Sequence, residues 1–268
     1  MTIEIIAEIG WNFMGDMELA SKMIKESSDS GATTAKFQYW NPSKLKPGAW
    51  DHDGRREIYL KAALNDEKIL FLLNECKRNN INFLISAFNV EDAKYLLNLG
   101  IKDIKVPSHE SGNFDLHKFC AKNFKKIYAS LGAASVSEVT HACSIYNESN
   151  CDWVAMHCVS SYPLNVDRAN LRRISWLNTK SKFVGYSDHT ECITTPAFAI
   201  LMGASVIEKH FTLDKNLPGR DNKFALTPEQ FALMVSNIEL AASALIDRGL
   251  DYQDIESDTF SNYRGRWG

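Results

Sequence analysis

Lys36 and Lys105 close two separate short apolar runs, and Ser108, Ser130, Ser160 and Ser187 stand at or just past the ends of four such runs. Two fixed cations and several hydroxyl donors brought to one point would grip phosphate and carboxylate without a glycine-rich phosphate loop. His189 and His210 end two further runs. Two imidazoles and an acid, with open positions left over, suit a divalent metal acting as a Lewis acid. Glu208 lies two residues before His210, so on a strand the two share a side. Lys209 then faces the opposite way, as a helix-facing or rim charge. Asp188 either orients His189 or caps the helix that follows.

Singly, each of these residues is ordinary: a Lys or Ser just past a strand is usually solvated, and His157 reads equally well as a satisfied core histidine. Their joint placement carries the information. Glu8, then Lys36 and Gln38, Ser86, Lys105 and Ser108, Ser130, His157 and Ser160, Ser187 to His189, and Glu208 to His210 all fall at the C-terminal ends of β-rich runs. A random scatter would populate both ends.

The elements that must position them alternate along the chain. Strand-like runs at 3–7, 34–38, 82–86, 103–106, 126–130, 153–158, 182–185 and 205–209 are separated by stretches with helical spacing. Asp16 is the expected N-cap of the first helix and Thr227, followed by Pro228, that of the last, near 228–247. A segment at about 40–63, rich in Pro, Gly and charge, reads as an insertion. Eight strand–helix units predict a single-domain α/β (β/α)8 barrel. An open doubly wound sheet is the competitor, but no G-x-G-x-x-G follows the first strand. In a barrel the C-terminal strand ends converge on one mouth, where such enzymes hold their active sites.

The chain has 268 residues, 45% hydrophobic and 24% charged, with net charge −3. That balance fits a globular domain and gives no nucleic-acid footprint. No basic region followed by a long apolar stretch opens the sequence, and no run of about 18 apolar residues occurs, so a cytoplasmic location with no membrane partner is expected. The six cysteines are scattered without a C-x-x-C, as reduced core thiols would be. The barrel is expected over 1–250, with a sparsely apolar tail at 251–268 and no second domain.

The segments AEIGWN (7–12), KFQ (36–38), IKVPS (104–108), HCVSSYP (157–163), GYSDHT (185–190), GASVIEKHFTLD (203–214) and GRDNKFAL (219–226) resemble, in order and over almost the whole chain, the sialic acid synthase family. GYSDHT followed by EKHFTLD is the most specific part. The resemblance implies a (β/α)8 catalytic barrel that condenses phosphoenolpyruvate with a sugar aldehyde, such as N-acetylmannosamine or a relative, to a 3-deoxy-2-keto sugar acid. It also implies a divalent metal, Mn or Mg, on His189 and His210. Lys36, Lys105, Ser108, Ser130, Ser160 and Ser187 fall where the family holds phosphoenolpyruvate. Gln38, Tyr162 and Asp221 fall where it holds the sugar, and Glu8 and Glu208 match acids near the reacting carbons.

Departures concentrate on the sugar side. Phe13 stands where the family usually has His, Ser86-Ala87-Phe88-Asn89 replaces Thr-Pro-Phe-Asp, Ser130-Leu131-Gly132-Ala133 replaces Ser-Thr-Gly-Met, and Gly219-Arg220-Asp221-Asn222 replaces Gly-Pro-Asp-His. The family's C-terminal antifreeze-like domain, which lends an Arg to the partner's site and helps fix a dimer, has no counterpart after residue 250; a homo-oligomer is left open. These features point to an unusual acceptor. The alternatives are a 3-deoxy-octulosonate or heptulosonate type of synthase using a phosphorylated aldose, for which Arg55, Arg56 and Arg220 are the obvious phosphate grips, a non-catalytic binding barrel, and a generic metal-dependent hydrolase or aldolase barrel.

Overall fold

A computed structural model describes residues 3–268; Met1 and Thr2 lie outside the described residues. Eight parallel strands close into a barrel in sequence order. They are β1 (Glu4–Gly10), β2 (Thr34–Gln38), β3 (Asn82–Ser86), β4 (Asp103–Val106), β5 (Lys126–Ser130), β6 (Asp152–His157), β7 (Val184–Asp188) and β8 (Val206–His210). The helices are α1 (Met17–Asp29), α2 (Arg55–Lys61), α3 (Asp66–Arg78), α4 (Val90–Asn98), α5 (Phe114–Asn123), α6 (Val136–Asn147), α7 (Arg172–Leu177), α8 (Thr195–Leu201) and α9 (Pro228–Ala244). The expected barrel is therefore observed.

Local chemistry explains the boundaries. Asp16 caps α1 by accepting from the N–H groups of Glu18 and Leu19. At the start of α9 the Gln230 side chain reaches back to the Thr227 N–H, 3.2 Å away, behind Pro228 in the first turn. The segment at 40–63 is folded, with 3₁₀ turns at Pro42–Lys44 and Ala49–Asp51 and then α2. It is anchored against β1's outgoing loop. Gly15 has φ +81°, and a Cβ there would stand 2.1 Å from the Lys61 carbonyl oxygen, so only glycine fits.

The strand alternation builds two cores. Outward side chains such as Ile5, Ala7, Ile104, Ile127 and Ile207 pack under the helices. Inward side chains Ile6, Leu84, Tyr128, Val154, Met156 and Val206 fill the barrel. Further along every strand but β6 the interior turns polar, with Glu8, Lys36, Ser86, Lys105, Ser130, Ser187 and Glu208 all buried. At the opposite, N-terminal end Glu4 accepts from Thr34, Tyr128 and Lys126, which closes the barrel floor. Residues 245–268, beyond α9, are exposed throughout; within them a 3₁₀ turn at Asp254–Glu256 runs on to a π-helical turn at Thr259–Tyr263.

Three orientations refine the expectations. His157 faces the helix layer rather than the mouth. It is fully buried, its Nε2 lies 2.8 Å from the Ala169 carbonyl, and its ring stacks on Tyr186. Lys209 faces the helices as expected but is no rim charge: it is 1% exposed and ion-paired to Asp188 at 2.7 Å. Asp188 neither orients His189 nor acts as the helix cap, a position held by Thr194. Its carboxylate instead gathers donors from Tyr186, Thr190, Thr195 and Lys209, which fixes the turn that carries His189.

Candidate active site

Strand register sets the mouth. Glu8 is paired with Lys36 across β1–β2 and with His210 across β1–β8. Ser86 is paired with Gln38 on one side and Lys105 on the other, and Ser187 with Glu208. Because each of these strands runs the same way and alternates faces, their last inward positions meet around the axis. A cavity of about 760 Å³ opens there, of the size used for small-molecule sites.

At its floor lies a network of two acids and two bases. The Glu208 carboxylate accepts from Lys105 Nζ at 2.7 and 2.8 Å, from Ser187 Oγ at 2.8 Å, and faces Lys36 Nζ at 3.2 Å. Lys36 also faces Glu8 at 3.1 Å, and Gln38 donates to Glu8 at 2.5 Å. Burial alone would neutralise all four. For Glu208 it is outweighed by Lys105 and Lys36, which hold the carboxyl far below the usual range. For Glu8 burial prevails over Lys36, with the Glu208 charge adding to it, and the carboxyl is raised. Burial lowers Lys105 despite Glu208, whereas Glu208 and Glu8 together overcome burial and raise Lys36. The lysines thus converge as expected, but a protein carboxylate already bridges them.

Hydroxyl groups ring this network. Ser130 Oγ and Ser86 Oγ are buried with no hydrogen-bond partner among the described residues. Buried orphan donors aimed into a cavity are what a polyanionic ligand would satisfy. Ser160 does not line the cavity; its hydroxyl donates to Ser108 Oγ at 2.7 Å and so positions Ser108. Gly132 allows this arrangement, since a Cβ there would lie 2.3 Å from Cys158 Sγ and 2.8 Å from Ser160 Oγ.

His189 and His210 lie side by side above the network, ring centroids 5.7 Å apart. His189 Nδ1 is 2.8 Å from the Val159 carbonyl, so it carries the hydrogen and leaves Nε2 bare. His210 Nδ1 is buried with no hydrogen-bond partner among the described residues, and Asp221 Oδ2 lies 3.8 Å from it. Burial lowers the pKa of both rings, His189 to about 4, and keeps them in the neutral form that ligates metals. Two bare imidazoles fit a divalent ion with open positions. Among the described residues no group of three His, Cys, Asp or Glu is arranged for one; Glu208, the acid expected beside them, is taken up by the lysines.

The sugar-side expectations are brought to the same mouth. Tyr162 covers His189 at 4.2 Å between centroids. Asp221 accepts from Trp11 Nε1 at 2.6 Å. All the predicted site residues except Ser160 line the cavity. Sequence reasoning missed the lining contributed by Trp11, Trp50, Tyr59, Phe88 and His109, while Arg55 and Arg220, named there as grips for a phosphorylated aldose, do line the cavity and Arg56 does not. Ser86 was noted only as a strand-end residue. Phe13, at the position of the family's usual His, is buried against Phe37 and does not reach the cavity.

The NeuB family model matches residues 23–249. The chain belongs to the NeuB family. It is 36% identical over 259 residues to the N,N'-diacetyllegionaminic acid synthase of Campylobacter jejuni, covering 91% of this chain and 77% of that one. The crystal structure of an N-acetylneuraminic acid (sialic acid) synthetase from Leptospira borgpetersenii, in complex with citrate, superposes with a TM-score of 0.89 at 32% identity, over 100% of this chain and 93% of that chain. A truncated 3-deoxy-D-arabino-heptulosonate 7-phosphate synthase from Thermotoga maritima reaches a TM-score of 0.72 at 14% identity over 91% of this chain and 88% of that one, a likeness of fold alone. NeuB membership makes the chain an enzyme of the sugar-acid synthase kind. It sets aside the non-catalytic barrel and the generic hydrolase.

Proposed function

We propose that this NeuB protein condenses phosphoenolpyruvate with the aldehyde of an open-chain aldose, N-acetylmannosamine or a relative, to give a 3-deoxy-2-keto sugar acid and phosphate. The observation that carries the reading is the floor of the cavity. Two buried lysines and the orphan hydroxyls of Ser130 and Ser86 converge within reach of two bare imidazoles. In this reading Lys36 and Lys105, with Ser108, Ser130 and Ser187, hold the carboxylate and phosphate, and Ser160 fixes Ser108. His189 and His210 would hold a divalent cation, Mn or Mg, which when bound polarises the aldehyde oxygen.

The chain's own residues do the rest. The clamp holds phosphoenolpyruvate with C3 against the aldehyde carbon, converting a bimolecular encounter into a positioned one. Gln38, Tyr162 and Asp221 hold the sugar. The C3 electron pair forms the new C–C bond as the aldehyde π pair moves to oxygen, which takes up a proton. Water then adds at the cationic C2, and Glu208 or Glu8 accepts its proton. The C2–O bond to phosphate breaks, and loss of the C2 hydroxyl proton gives the ketone. A cytoplasmic site of action, where phosphoenolpyruvate is made, belongs to the same proposal.

The test is phosphate release from phosphoenolpyruvate with a panel of aldoses and either metal. Release that requires both an aldose and a divalent ion is expected. Loss of that metal-dependent release in His189→Ala or His210→Ala would support the ligand assignment, and full metal-dependent activity in either variant would overturn it.

A further inference from the structure

The imidazoles and lysines fix where an acceptor's aldehyde carbon lies, so the remainder of the sugar must run outward along the cavity wall. The structure marks one such path. Asp221 Oδ2 lies 3.8 Å from His210 Nδ1 and accepts from Trp11. The Trp11 ring lies 5.2 Å from that of Tyr59, and Trp50, Arg55 and Arg220 continue the same lining. This wall is drawn from three segments: the turn after β1, the segment at 40–63, and the loop after β8.

Its cations are not all paired. Arg55 and Arg220 each lie close enough to Tyr59 to oppose the upward shift that burial gives its phenol, and Arg220 also acts on Asp53. Arg55 uses Nε and Nη2 on Asp53, the latter at 2.6 Å, and its Nη1 has no partner among the described residues. Arg220 and Lys223 make no side-chain hydrogen bond or ion pair to any described residue, yet both line the cavity. Arg56 takes no part, being turned to Asp51 at 2.5 Å. Glu191, on the lining too, lies 3.9 Å from Lys215. Arg55, Arg220 and Lys223 thus share the lining with Trp11 and Tyr59; of the acids there or beside it, Asp53 is taken by Arg55, Asp221 accepts from Trp11 and Glu191 faces Lys215, which leaves Arg220 and Lys223 unpaired among the described residues.

We propose that this wall is the subsite for the far end of the acceptor, and that the acceptor carries there an anionic group, phosphate or carboxylate, gripped by Arg220 and the free edge of Arg55. Guanidinium groups suit either oxyanion by paired N–H donation, and the Trp11 and Tyr59 rings offer faces for the sugar's carbon chain. The proposal rests on the synthase reading, whose acceptor it specifies.

Calorimetric titration in EDTA, without phosphoenolpyruvate, separates the two ideas. The probes are N-acetylmannosamine, its 6-phosphate and the corresponding 6-carboxylate, against the wild-type protein, Arg220→Met and Arg55→Met. Wild type is expected to bind at least one anionic probe about tenfold or more tightly than the neutral sugar, as charged hydrogen bonds allow. Arg220→Met should cut that preference by about tenfold, leave neutral-sugar binding within about twofold, and keep the wild-type melting temperature, its side chain being exposed. Which anionic probe is preferred tells phosphate from carboxylate. Equal affinity for charged and neutral probes, no binding of either anionic probe at millimolar concentration, or an anion preference untouched by both substitutions would overturn the subsite. An intact preference without phosphate release from phosphoenolpyruvate would overturn the synthase reading and leave the subsite standing.

Discussion

Replacing Lys209 by Met should cost the protein far more than a typical lysine substitution. The Lys209 ammonium is 1% exposed and donates to Asp188 Oδ2 at 2.7 Å, the Thr190 carbonyl at 2.5 Å and the Cys192 carbonyl at 3.0 Å. Met matches its length but none of its donors, so the variant buries a carboxylate and two carbonyls without their cation. Breaking a buried pair from one side costs about 3–5 kcal/mol. At about 2–4 °C per kcal/mol for a chain of this size, the melting temperature should fall by about 6–20 °C. Asp188→Asn with Lys209→Met removes both charges while keeping an acceptor for Thr190 and Thr195, and should melt well above the single variant. Differential scanning calorimetry at one scan rate reads both. A Lys209→Met protein within about 2 °C of wild type, or a double variant no better than the single, would refute the idea that this pair holds the β7–β8 strand ends behind the imidazoles.

Other outcomes follow from the same geometry. Gly132→Ala drives a methyl toward Cys158 and Ser160, so kcat/KM for phosphoenolpyruvate should fall about tenfold or more while stability drops by about 1–3 kcal/mol; steady-state kinetics and a urea melt check this. Gly15→Ala, at φ +81° and against the Lys61 carbonyl, should lower the melting temperature and loosen the 40–63 segment, visible as faster amide exchange there. Asp92 is held up to about 6 by burial, against the opposing pull of Lys44. The native state therefore binds this proton more tightly than the unfolded chain does, a contribution to stability present below about pH 4 and lost as pH rises through about 6. Asp92→Asn should raise the melting temperature relative to wild type at pH 7.5 and not at pH 4.

The fold was legible wherever pattern and burial agree. Thr34–Gln38, Asn82–Ser86, Asp103–Val106 and Lys126–Ser130 read from the sequence with the boundaries the structure has. The reading stopped short at the functional end of β1, β7 and β8. The reading ended β1 before Glu8, β7 before Ser187 and β8 one residue before His210, whereas the barrel carries all three on as inward strand positions. Orientation was the second limit. His157 and Ser160 sit near strand ends like the others, but strand parity turns His157 outward, and the loop turns Ser160 toward Ser108. The aromatic and cationic wall was least legible. Trp50, Arg55 and Tyr59 lie in a segment whose composition reads as a loop, and only its packing beside Trp11 places them over the mouth.

Phosphoenolpyruvate labelled with oxygen-18 at the bridging C–O–P position, turned over with an aldose and metal, tests the central claim most directly. The account predicts that all of the label leaves in phosphate, only when aldose is present, and that the unlabelled co-product has the mass of aldose plus pyruvate. Label retained in pyruvate, or phosphate released at the same rate without any aldose, would show P–O hydrolysis and contradict the proposed condensation.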